Sequence, residues 1–295
     1  RRETSMPGAV FSTVLVFAAE AMPATKTFLV TGATEGIGLA TVEQLQRDGH
    51  AILVHGRNAE KVEKVVKAVC DKGGTAAGYT ADLSSLAQIR KMADDVRRDH
   101  PVLDGLLNNA GTFDGDYTGK RVVTEDGNEY SLQVNVLAPF LLTAMLLPNV
   151  KASGAGRIII SSSVSMGSAD ALADLQLESG WSGHRAYSLS KLCDAMLSRE
   201  LHCRYGDPPR LTFNTMDPTA ECGMGCDTKM LRAGWGSWGA PASRSTISAN
   251  MLTQDAWASR SGEGFSTRRE VCDAPARKKL WDKCVELTGA EYPTK

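Results

Sequence analysis

The sequence predicts a single α/β domain in which a parallel sheet of about seven strands is covered by helices on both faces. Three observations favour this fold class. Short apolar runs alternate with helical patterns from residue 26 to about 217. A glycine-rich turn follows the first apolar run, and polar motifs directly follow several later runs. Sheets of this class bind ligands beyond the carboxyl ends of their strands, where these motifs would lie.

The predicted strands are short apolar runs, and the segments between them place apolar residues three or four positions apart, as helices do. We expect strands over 27–30, 51–55, 76–81, 103–107, 157–161 and 211–216. We expect helices over 37–48, 59–72, 84–98, 128–149, 185–205 and 276–287. Residues 264–266 could add a seventh strand at the sheet edge.

The chain divides into an N-terminal extension over 1–25 and one domain over 26–295, with no internal repeat. Residues 8–19 are mostly apolar but too short to span a bilayer as a helix, so no clear membrane span is expected. We expect the extension to pack on the domain or on a partner; a targeting segment is the alternative. Residues 218–262 are expected to form a substrate loop or lid.

Composition restricts the function classes. The net charge is −1, with 42 % apolar and 23 % charged residues, and basic and acidic side chains are interspersed. No basic face for nucleic acid is therefore expected. The seven cysteines are scattered and odd in number, which favours free thiols in a reducing intracellular compartment, the cytoplasm or an organelle. Cys222 and Cys226 lack the further ligands that zinc needs, so no metal site is expected.

The glycine-rich turn is suited to the pyrophosphate of a dinucleotide. Gly32 can adopt backbone angles closed to other residues, and Gly36 and Gly38 allow the main chain to approach a phosphate. The helix that follows would point its free N–H groups at the anion. Thr34 and Ile37 belong to the same turn. Because the turn follows a predicted strand and opens a predicted helix, it is a candidate cofactor site.

Arg57, at the end of the second predicted strand, bears on which cofactor is bound. NAD sites in this kind of sheet place an Asp or Glu there to bind the ribose 2′-hydroxyl, and this sequence has none. Arg57 could instead pair with a 2′-phosphate. This favours NADP(H) over NAD(H), although the negative charge of Glu35 in the glycine turn acts in the opposite direction.

Tyr187 and Lys191 are four residues apart in a predicted helix, so both side chains lie on one face. An adjacent ammonium favours the phenolate and so lowers the pKa of a tyrosine. Such a tyrosine could give a proton to an alkoxide or take one from an alcohol.

A series of motifs in a fixed order resembles the short-chain dehydrogenase/reductase superfamily, nearest its retinol-dehydrogenase-like and WW-domain-oxidoreductase-like branch. The resemblance covers about residues 26–217 and implies a Rossmann fold. The motifs are TGATEGIG (31–38), GRNAEK (56–61), ADLSS (81–85), NNAG (108–111), DGNEYSLQVNVLAPFLLT (126–143), RIIISSS (157–163) and AYSLSK (186–191).

The resemblance implies roles for individual residues. Asp82 and Leu83 would border the adenine ring, and the segment of Asn109, Ala110 and Gly111 would line the cofactor. Asn135 would hold a water beside Lys191.

The resemblance also assigns the catalytic groups. Ser163 would hydrogen-bond the substrate oxygen, with Ser162 as the alternative register. Tyr187 would be the general acid/base, and Lys191 would assist it and reach the nicotinamide ribose.

The sequence departs from the family after the sixth strand. The family has Pro-Gly there and a Thr four or five residues after the Pro, whereas here Thr219 follows Pro218 and the candidate Thr228 lies ten residues later. Pro218 and Thr228 remain the expected cofactor contacts. The longer segment resembles an insertion beside the nicotinamide pocket, which puts activity rather than fold in doubt.

Residues 164–186 link the expected active strand and helix and contain Leu172, Leu175, Leu177 and Trp181. They would line an apolar substrate entrance or form loop core. With Trp235 and Trp238 they suggest a bulky apolar substrate.

Two functions follow as alternatives. The first is an NADP(H)-dependent oxidoreductase acting on a small-molecule carbonyl or alcohol. The second is a non-catalytic nucleotide-binding subunit of a larger assembly. A homodimer, or docking in a complex through 1–25, is compatible with either function.

Overall fold

A six-stranded parallel sheet forms the centre of the computed structural model, which describes residues 25–113, 120–167, 169–223, 225–236 and 238–294. The strands are β1 Thr27–Val30, β2 Ala51–Gly56, β3 Thr75–Thr80, β4 Gly105–Asn108, β5 Gly156–Ser161 and β6 Leu211–Met216. Their order is β3-β2-β1-β4-β5-β6. The predicted fold class is confirmed. Residues 1–24 of the expected extension lie outside the described residues.

The order of the strands defines the place where a ligand can bind. Leu29 in β1 pairs with Leu53 of β2 on one side and with Leu106 of β4 on the other. The chain therefore runs outward in both directions from β1, and the switch point lies between β1 and β4. A crevice opens at the carboxyl ends of strands at such a point.

Nine helices are present in the described part of the chain, apart from short 3₁₀ turns. They are α1 Gly36–Arg47, α2 Ala59–Asp71, α3 Leu86–Asp99, α4 Tyr130–Ala152, α5 Gly183–Tyr205, α6 Lys229–Trp235, α7 Ile247–Thr253, α8 Arg269–Cys272 and α9 Ala274–Thr288. The six long helices predicted from periodicity are all present, with ends that differ by a few residues. The short helices α6, α7 and α8 lie in or after the segment expected to be a loop.

Each face of the sheet has its own apolar layer. On one face α3, α4, α5 and α9 bury residues such as Ile89, Phe140 and Leu192 against the sheet. On the other face α1, α2 and α7 bury Val42 and Leu252, among others. Strands covered on both faces need continuous apolar runs, which is why 27–30 was recognisable.

Helix α4 is long and apolar enough to cross a membrane by length and hydropathy, although the sequence predicted no clear span. In the fold, 89 % of that apolar stretch is buried inside the domain. It packs against α3 and contributes Phe140, Leu141 and Leu146 to the core. Its composition is therefore that of a central core helix.

The seventh strand expected at 264–266 does not form. The neighbouring backbone makes two hydrogen bonds with β6, from Gly262 N to Phe213 O and from Thr215 N to Glu263 O. Phe265 has a positive φ of 53°, which interrupts an extended strand. A short parallel pair forms elsewhere, between β7 Cys226–Asp227 and β8 Ala240–Pro241.

Candidate active site

The glycine turn between β1 and α1 is tightly packed against its own backbone and that of the segment after β4. A Cβ atom on Gly38 would lie 2.2 Å from the Gly32 carbonyl oxygen, and one on Gly32 would lie 2.8 Å from the Ala110 Cα. Gly32 and Gly36 have φ values of 62° and 56°. The turn therefore requires glycine for both space and backbone angle. Both reasons for glycine in this turn were expected from the sequence.

Thr31 and Asn109 join the turn to the end of β4. The Thr31 hydroxyl accepts hydrogen bonds from the Asn109 and Ala110 N–H groups at 2.9 and 3.0 Å. The Asn109 amide donates to the Thr31 carbonyl oxygen at 2.9 Å. The Asn109–Gly111 segment thus lies directly beside the glycine turn.

The buried side chain of His55 accepts a hydrogen bond from the glycine turn and was not identified from the sequence. The Gly32 N–H donates to His55 Nδ1 at 3.3 Å, so Nε2 carries the proton and donates to the Ala81 oxygen at 3.1 Å. Burial lowers the pKa of His55 to about 4, despite the hydrogen bond to Ala81. The ring is therefore neutral at physiological pH. No pattern in the sequence indicates that the histidine at this strand end is buried against the turn.

The other turn residues and the expected adenine contacts lie near the carboxyl ends of β1, β2 and β3. Thr34 lies against Gly56 at the end of β2, since a Cβ on Gly56 would meet the Thr34 methyl at 2.7 Å. Ile37 is partly buried at the start of α1. The Asp82 carboxylate accepts from the Ser84 N–H at 2.9 Å, and Leu83 is buried.

Arg57 and Glu35 are exposed, directly after β2 and directly before α1. The Arg57 guanidinium is exposed and lies 3.5 Å from the Tyr130 hydroxyl. The Glu35 carboxylate accepts from Lys61 Nζ at 2.8 Å and contacts Lys229 Nζ. The hydrogen bond from Lys229 has the largest effect on the pKa of Glu35, and that from Lys61 the next largest. Both lower it. The charge of Glu35 is therefore offset by two lysines, which no pattern in the sequence indicates.

Asn135 lies in a π-helical turn, Gln133–Leu137, inside α4. Such turns within α-helices occur often at functional sites. Its side-chain oxygen accepts from the Thr112 N–H at 2.8 Å, and its amide donates to the Ser190 hydroxyl at 2.9 Å. A Cβ on Gly111 would lie 3.4 Å from the Asn135 oxygen and 3.9 Å from Lys191 Nζ. Asn135, Gly111 and Lys191 are therefore neighbours.

Ser163, Tyr187 and Lys191 converge at the carboxyl end of β5. The Ser163 side chain lies close enough to Tyr187 to lower the pKa of its phenol, and the Ser163 hydroxyl accepts from the Ser165 N–H at 3.1 Å. Lys191 Nζ lies 5.7 Å from the centre of the Tyr187 ring. Ser162 does not take this position, because its hydroxyl donates to the Lys191 carbonyl oxygen at 2.7 Å. Of the two register alternatives, the structure brings Ser163 to Tyr187.

From Lys191 alone, the sequence predicted a lowered pKa for Tyr187, and that prediction is wrong. The positive charge of Lys191 and the nearby Ser163 side chain do lower it. Burial is the larger effect, and Asp217 and Asp194 add to it, so the pKa of Tyr187 is raised overall. The phenol is therefore protonated at neutral pH.

The segment after β6 reaches the glycine turn in spite of its extra length. Thr228 caps the first turn of α6 by accepting from the Leu231 N–H at 3.1 Å. A Cβ on Gly36 would lie 3.3 Å from the Thr228 methyl. The Pro218 oxygen accepts a hydrogen bond from the buried Ser245 hydroxyl. Thr228 thus lies over the turn, although it comes ten positions after Pro218 in the sequence.

A disulfide shortens this segment. The expectation of free thiols is wrong for Cys222 and Cys226, which are bonded, with Cα atoms 5.4 Å apart. The loop brings the two residues within the range that a disulfide needs. The other five cysteines form no disulfide within the described part of the chain. No cluster of three or more His, Cys, Asp or Glu side chains suited to a metal occurs among the residues the structure describes.

Aromatic side chains surround Tyr187. The Trp235 ring at the end of α6 lies 5.5 Å from the Tyr187 ring, and the buried Phe113 ring lies 5.3 Å from it. His184 contacts both Phe113 and Trp235. These residues form an apolar wall beside the Tyr187 ring.

The leucines of 164–186 form loop core. Leu177 is fully buried, and Leu172, Leu175 and Trp181 pack against the main apolar cluster. Of the tryptophans considered for a substrate entrance, Trp235 lies at Tyr187. Trp238 is 40 % exposed, and its indole N–H donates to the Trp235 oxygen at 2.8 Å.

Comparison with known proteins identifies the family. The short chain dehydrogenase family model matches residues 26–221, about two thirds of the chain. The chain belongs to the short-chain dehydrogenase/reductase family. It is therefore an oxidoreductase by family, near the retinol-dehydrogenase-like branch.

Characterised relatives of this dehydrogenase/reductase extend over most of its length. Mouse polyprenol dehydrogenase is 34 % identical over 89 % of this chain and 83 % of its own. Human retinol dehydrogenase 13 is 31 % identical over 91 % of this chain and 86 % of its own.

Solved structures of the family share the fold. A short chain dehydrogenase from Shigella flexneri, complexed with NADP, has a TM-score of 0.63 and 24 % identity, covering 80 % of this chain and 94 % of its own. A blue fluorescent protein from a metagenomic library, in complex with NADPH, has a TM-score of 0.60 and 27 % identity with the same coverage.

Proposed function

We propose that this short-chain dehydrogenase/reductase is NADP(H)-dependent and interconverts an apolar carbonyl compound and its alcohol, with Tyr187 as general acid/base. The observation that supports this most directly is the convergence of Ser163 and Lys191 on Tyr187, beside the glycine turn. A substrate oxygen placed there would meet two hydroxyl groups within one polar cluster. Two of the relatives, polyprenol dehydrogenase and retinol dehydrogenase 13, are named for apolar alcohols, the same chemical class.

The residues present fit a dinucleotide. The cradle at Gly32, Gly36 and Gly38 leaves no room for side chains, and the N-terminus of α1 faces it with free N–H groups. Asp82, Leu83 and the Asn109–Gly111 segment would line the adenosine half. Pro218 and Thr228 would border the nicotinamide half, with Tyr187 and Lys191 at its ribose.

The proposed chemistry uses a few groups of the protein. A bound nicotinamide would supply or accept the hydride at the carbonyl carbon. Tyr187 would give its hydroxyl proton to the oxygen during reduction, or take one during oxidation. Ser163 would stabilise the charge that develops on that oxygen. Lys191 Nζ already donates to the Ser161 oxygen and to Asp194, so its third N–H would serve a ribose hydroxyl.

The preference for NADP(H) is part of the proposal. Arg57 is exposed at the end of β2, and Lys61 and Lys229 lie around Glu35 nearby. Together these four side chains have a net charge of +2. An anionic 2′-phosphate would be attracted to such a group.

A turnover assay tests the proposal. Purified protein is incubated with NADPH and a panel of apolar aldehydes and ketones, including retinal and shorter isoprenoid aldehydes. Tyr187→Phe should lower kcat at least about 100-fold and leave the NADPH Kd unchanged, because only the proton donor is lost. Tyr205→Phe removes a hydroxyl from the other end of the same helix and is the control.

The cofactor is tested separately by fluorescence titration. Arg57→Ala should weaken NADPH binding about tenfold and leave NADH binding nearly unchanged. Tight NADPH binding without turnover of any carbonyl in the panel would instead support the alternative, a nucleotide-binding subunit without activity.

A further inference from the structure

Helix α5 contains a buried ion pair next to Tyr187. Lys191 Nζ donates to Asp194 Oδ2 at 2.9 Å and to the Ser161 oxygen at 2.9 Å. The two charged side chains are only 6 % and 1 % exposed. The other oxygen of Asp194, Oδ1, is buried without a hydrogen-bond partner in the described part of the chain.

Stability does not explain this carboxylate. Removing a charge from water costs more than a single ion pair usually returns, and a carboxylate oxygen left without a partner adds to the cost. An apolar residue at 194 would avoid the cost but would leave the Lys191 ammonium without a counter-charge. The position of Asp194 therefore points to an effect on Lys191.

Both groups of the pair are charged at neutral pH. Burial raises the pKa of Asp194 to about 6, with Lys191 acting against that rise. Burial lowers the pKa of Lys191, but the negative charge of Asp194, with Tyr187 and Asp217, outweighs it and raises the pKa overall. The thiols of Cys193 and Cys284, which also face Asp194, have pKa values raised by burial and are neutral.

The pair acts on Tyr187 with opposite signs. The Lys191 charge favours the phenolate, whereas Asp194 and the nearby Asp217 favour the protonated phenol. Asp217 also accepts hydrogen bonds from the Val164 and Thr219 N–H groups. Asp194 touches Lys191 itself, so it is placed both to orient the ammonium and to offset its charge.

We propose that Asp194 is a positioning residue that holds Lys191 against β5 and offsets part of its charge at Tyr187, which adapts the site to donate a proton to a carbonyl oxygen. This rests on the proposed function. In the favoured direction the Tyr187 O–H bond breaks and its proton goes to the substrate oxygen, while the carbonyl carbon receives a hydride from reduced nicotinamide. The phenolate then regains a proton from solvent.

The test is the pH dependence of carbonyl reduction by Asp194→Asn. Without the negative charge of Asp194, the pKa of Tyr187 should be lower. The pH above which the rate of carbonyl reduction falls should therefore be about one unit lower than in the wild type. The rate of alcohol oxidation near neutral pH should rise several-fold. Ser198→Ala is the matched control, since Ser198 is buried on the same helix four residues away and its hydroxyl has no partner among the described residues. A pH profile of folded Asp194→Asn that coincides with that of the wild type would overturn the proposal.

A second measurement covers the case in which Asp194→Asn does not fold. Lys191→Met and the double variant Lys191→Met/Asp194→Leu are titrated by ultraviolet phenolate absorbance, each against the same background with Tyr187→Phe. Lys191→Met alone should raise the pKa of Tyr187 above its wild-type value. In the double variant, that pKa should be lower than in Lys191→Met by at least about half of the rise. Equal values in the two variants would refute any offset by Asp194.

The titration needs neither cofactor nor substrate. A wild-type protein that turns over nothing would refute the proposed function, and the titration would still decide the role of Asp194.

Discussion

Lys61 Nζ donates a hydrogen bond of 2.8 Å to Glu35 Oε1, which joins α2 to the glycine turn. Lys229 of α6 contacts the other carboxylate oxygen. One carboxylate therefore links three segments that are far apart in the sequence. All three side chains are partly exposed, so their mutual attraction is screened by salt.

Glu35→Gln should strengthen NADPH binding about three- to tenfold, because two lysines lose their counter-charge near the expected 2′-phosphate. NADH binding should change little, and the gain should shrink at high salt. Fluorescence titration of both cofactors measures this. Glu60→Gln, an exposed change in the first turn of α2, is the control. An equal gain for NADH would place the effect elsewhere.

Trp235→Ala should raise KM for bulky apolar carbonyls about tenfold, since it removes a ring that lies 5.5 Å from the Tyr187 ring. KM for a small polar carbonyl and the Kd for NADPH should change much less. Steady-state kinetics with a matched pair of aldehydes checks this. Trp257→Ala, in the apolar layer on the opposite face of the sheet, is the control. Parallel changes for both aldehydes would contradict a role of Trp235 in substrate binding.

His55 should make stability depend on pH on the acid side. Its pKa is about 4 in the fold, below the value of about 6.5 expected in the unfolded chain. The unfolded state therefore binds the proton more tightly, and stability present above about pH 6.5 is lost as pH falls toward 4, by about 3 kcal/mol. Asp194, with a raised pKa of about 6, acts oppositely between about pH 4 and 6.

His55→Gln can accept from Gly32 and donate to Ala81 but does not titrate. The dependence of unfolding free energy on pH, measured by denaturant unfolding, gives the number of protons taken up on unfolding. Between about pH 4 and 6.5 the variant should take up about one proton fewer than the wild type. An unchanged slope would show that His55 does not titrate with this shift.

The Cys222–Cys226 disulfide should affect NADPH binding more than global stability. It closes a loop of only a few residues, so its loss should lower the free energy of unfolding by at most about 2 kcal/mol. It also shortens the path from Pro218 to Thr228, which lies over Gly36. Treatment with a dithiol, or Cys222→Ser/Cys226→Ser, should weaken NADPH binding several-fold. The exposed Cys70→Ser is the control, and unaltered binding after verified reduction would exclude this role.

The sheet and its order of elements were predictable because their signals are local. Strands 27–30 and 211–216 were predicted with the bounds that the structure has, since a strand buried on both faces needs a short apolar run. The edge strand expected at 264–266 does not form. This segment has one large apolar residue, Phe265, which packs against the core from a loop with a positive φ.

The candidate site was only partly predictable. Tyr187 and Lys191 are one helical turn apart, so their proximity follows from the sequence. Asp194 is three residues from Lys191 on the same helix, yet nothing in the sequence shows that both side chains would be buried together. His55 and Trp235 reach the site from distant segments.

By itself, the sequence determined the α/β class, the glycine turn and the helix that presents Tyr187, because each depends on neighbours within a few positions. Tertiary structure alone decided that Cys222 meets Cys226, that Glu35 lies between two lysines, and that burial raises the pKa of Tyr187. Such properties depend on distances between segments and on the exclusion of water, neither of which is encoded in local periodicity.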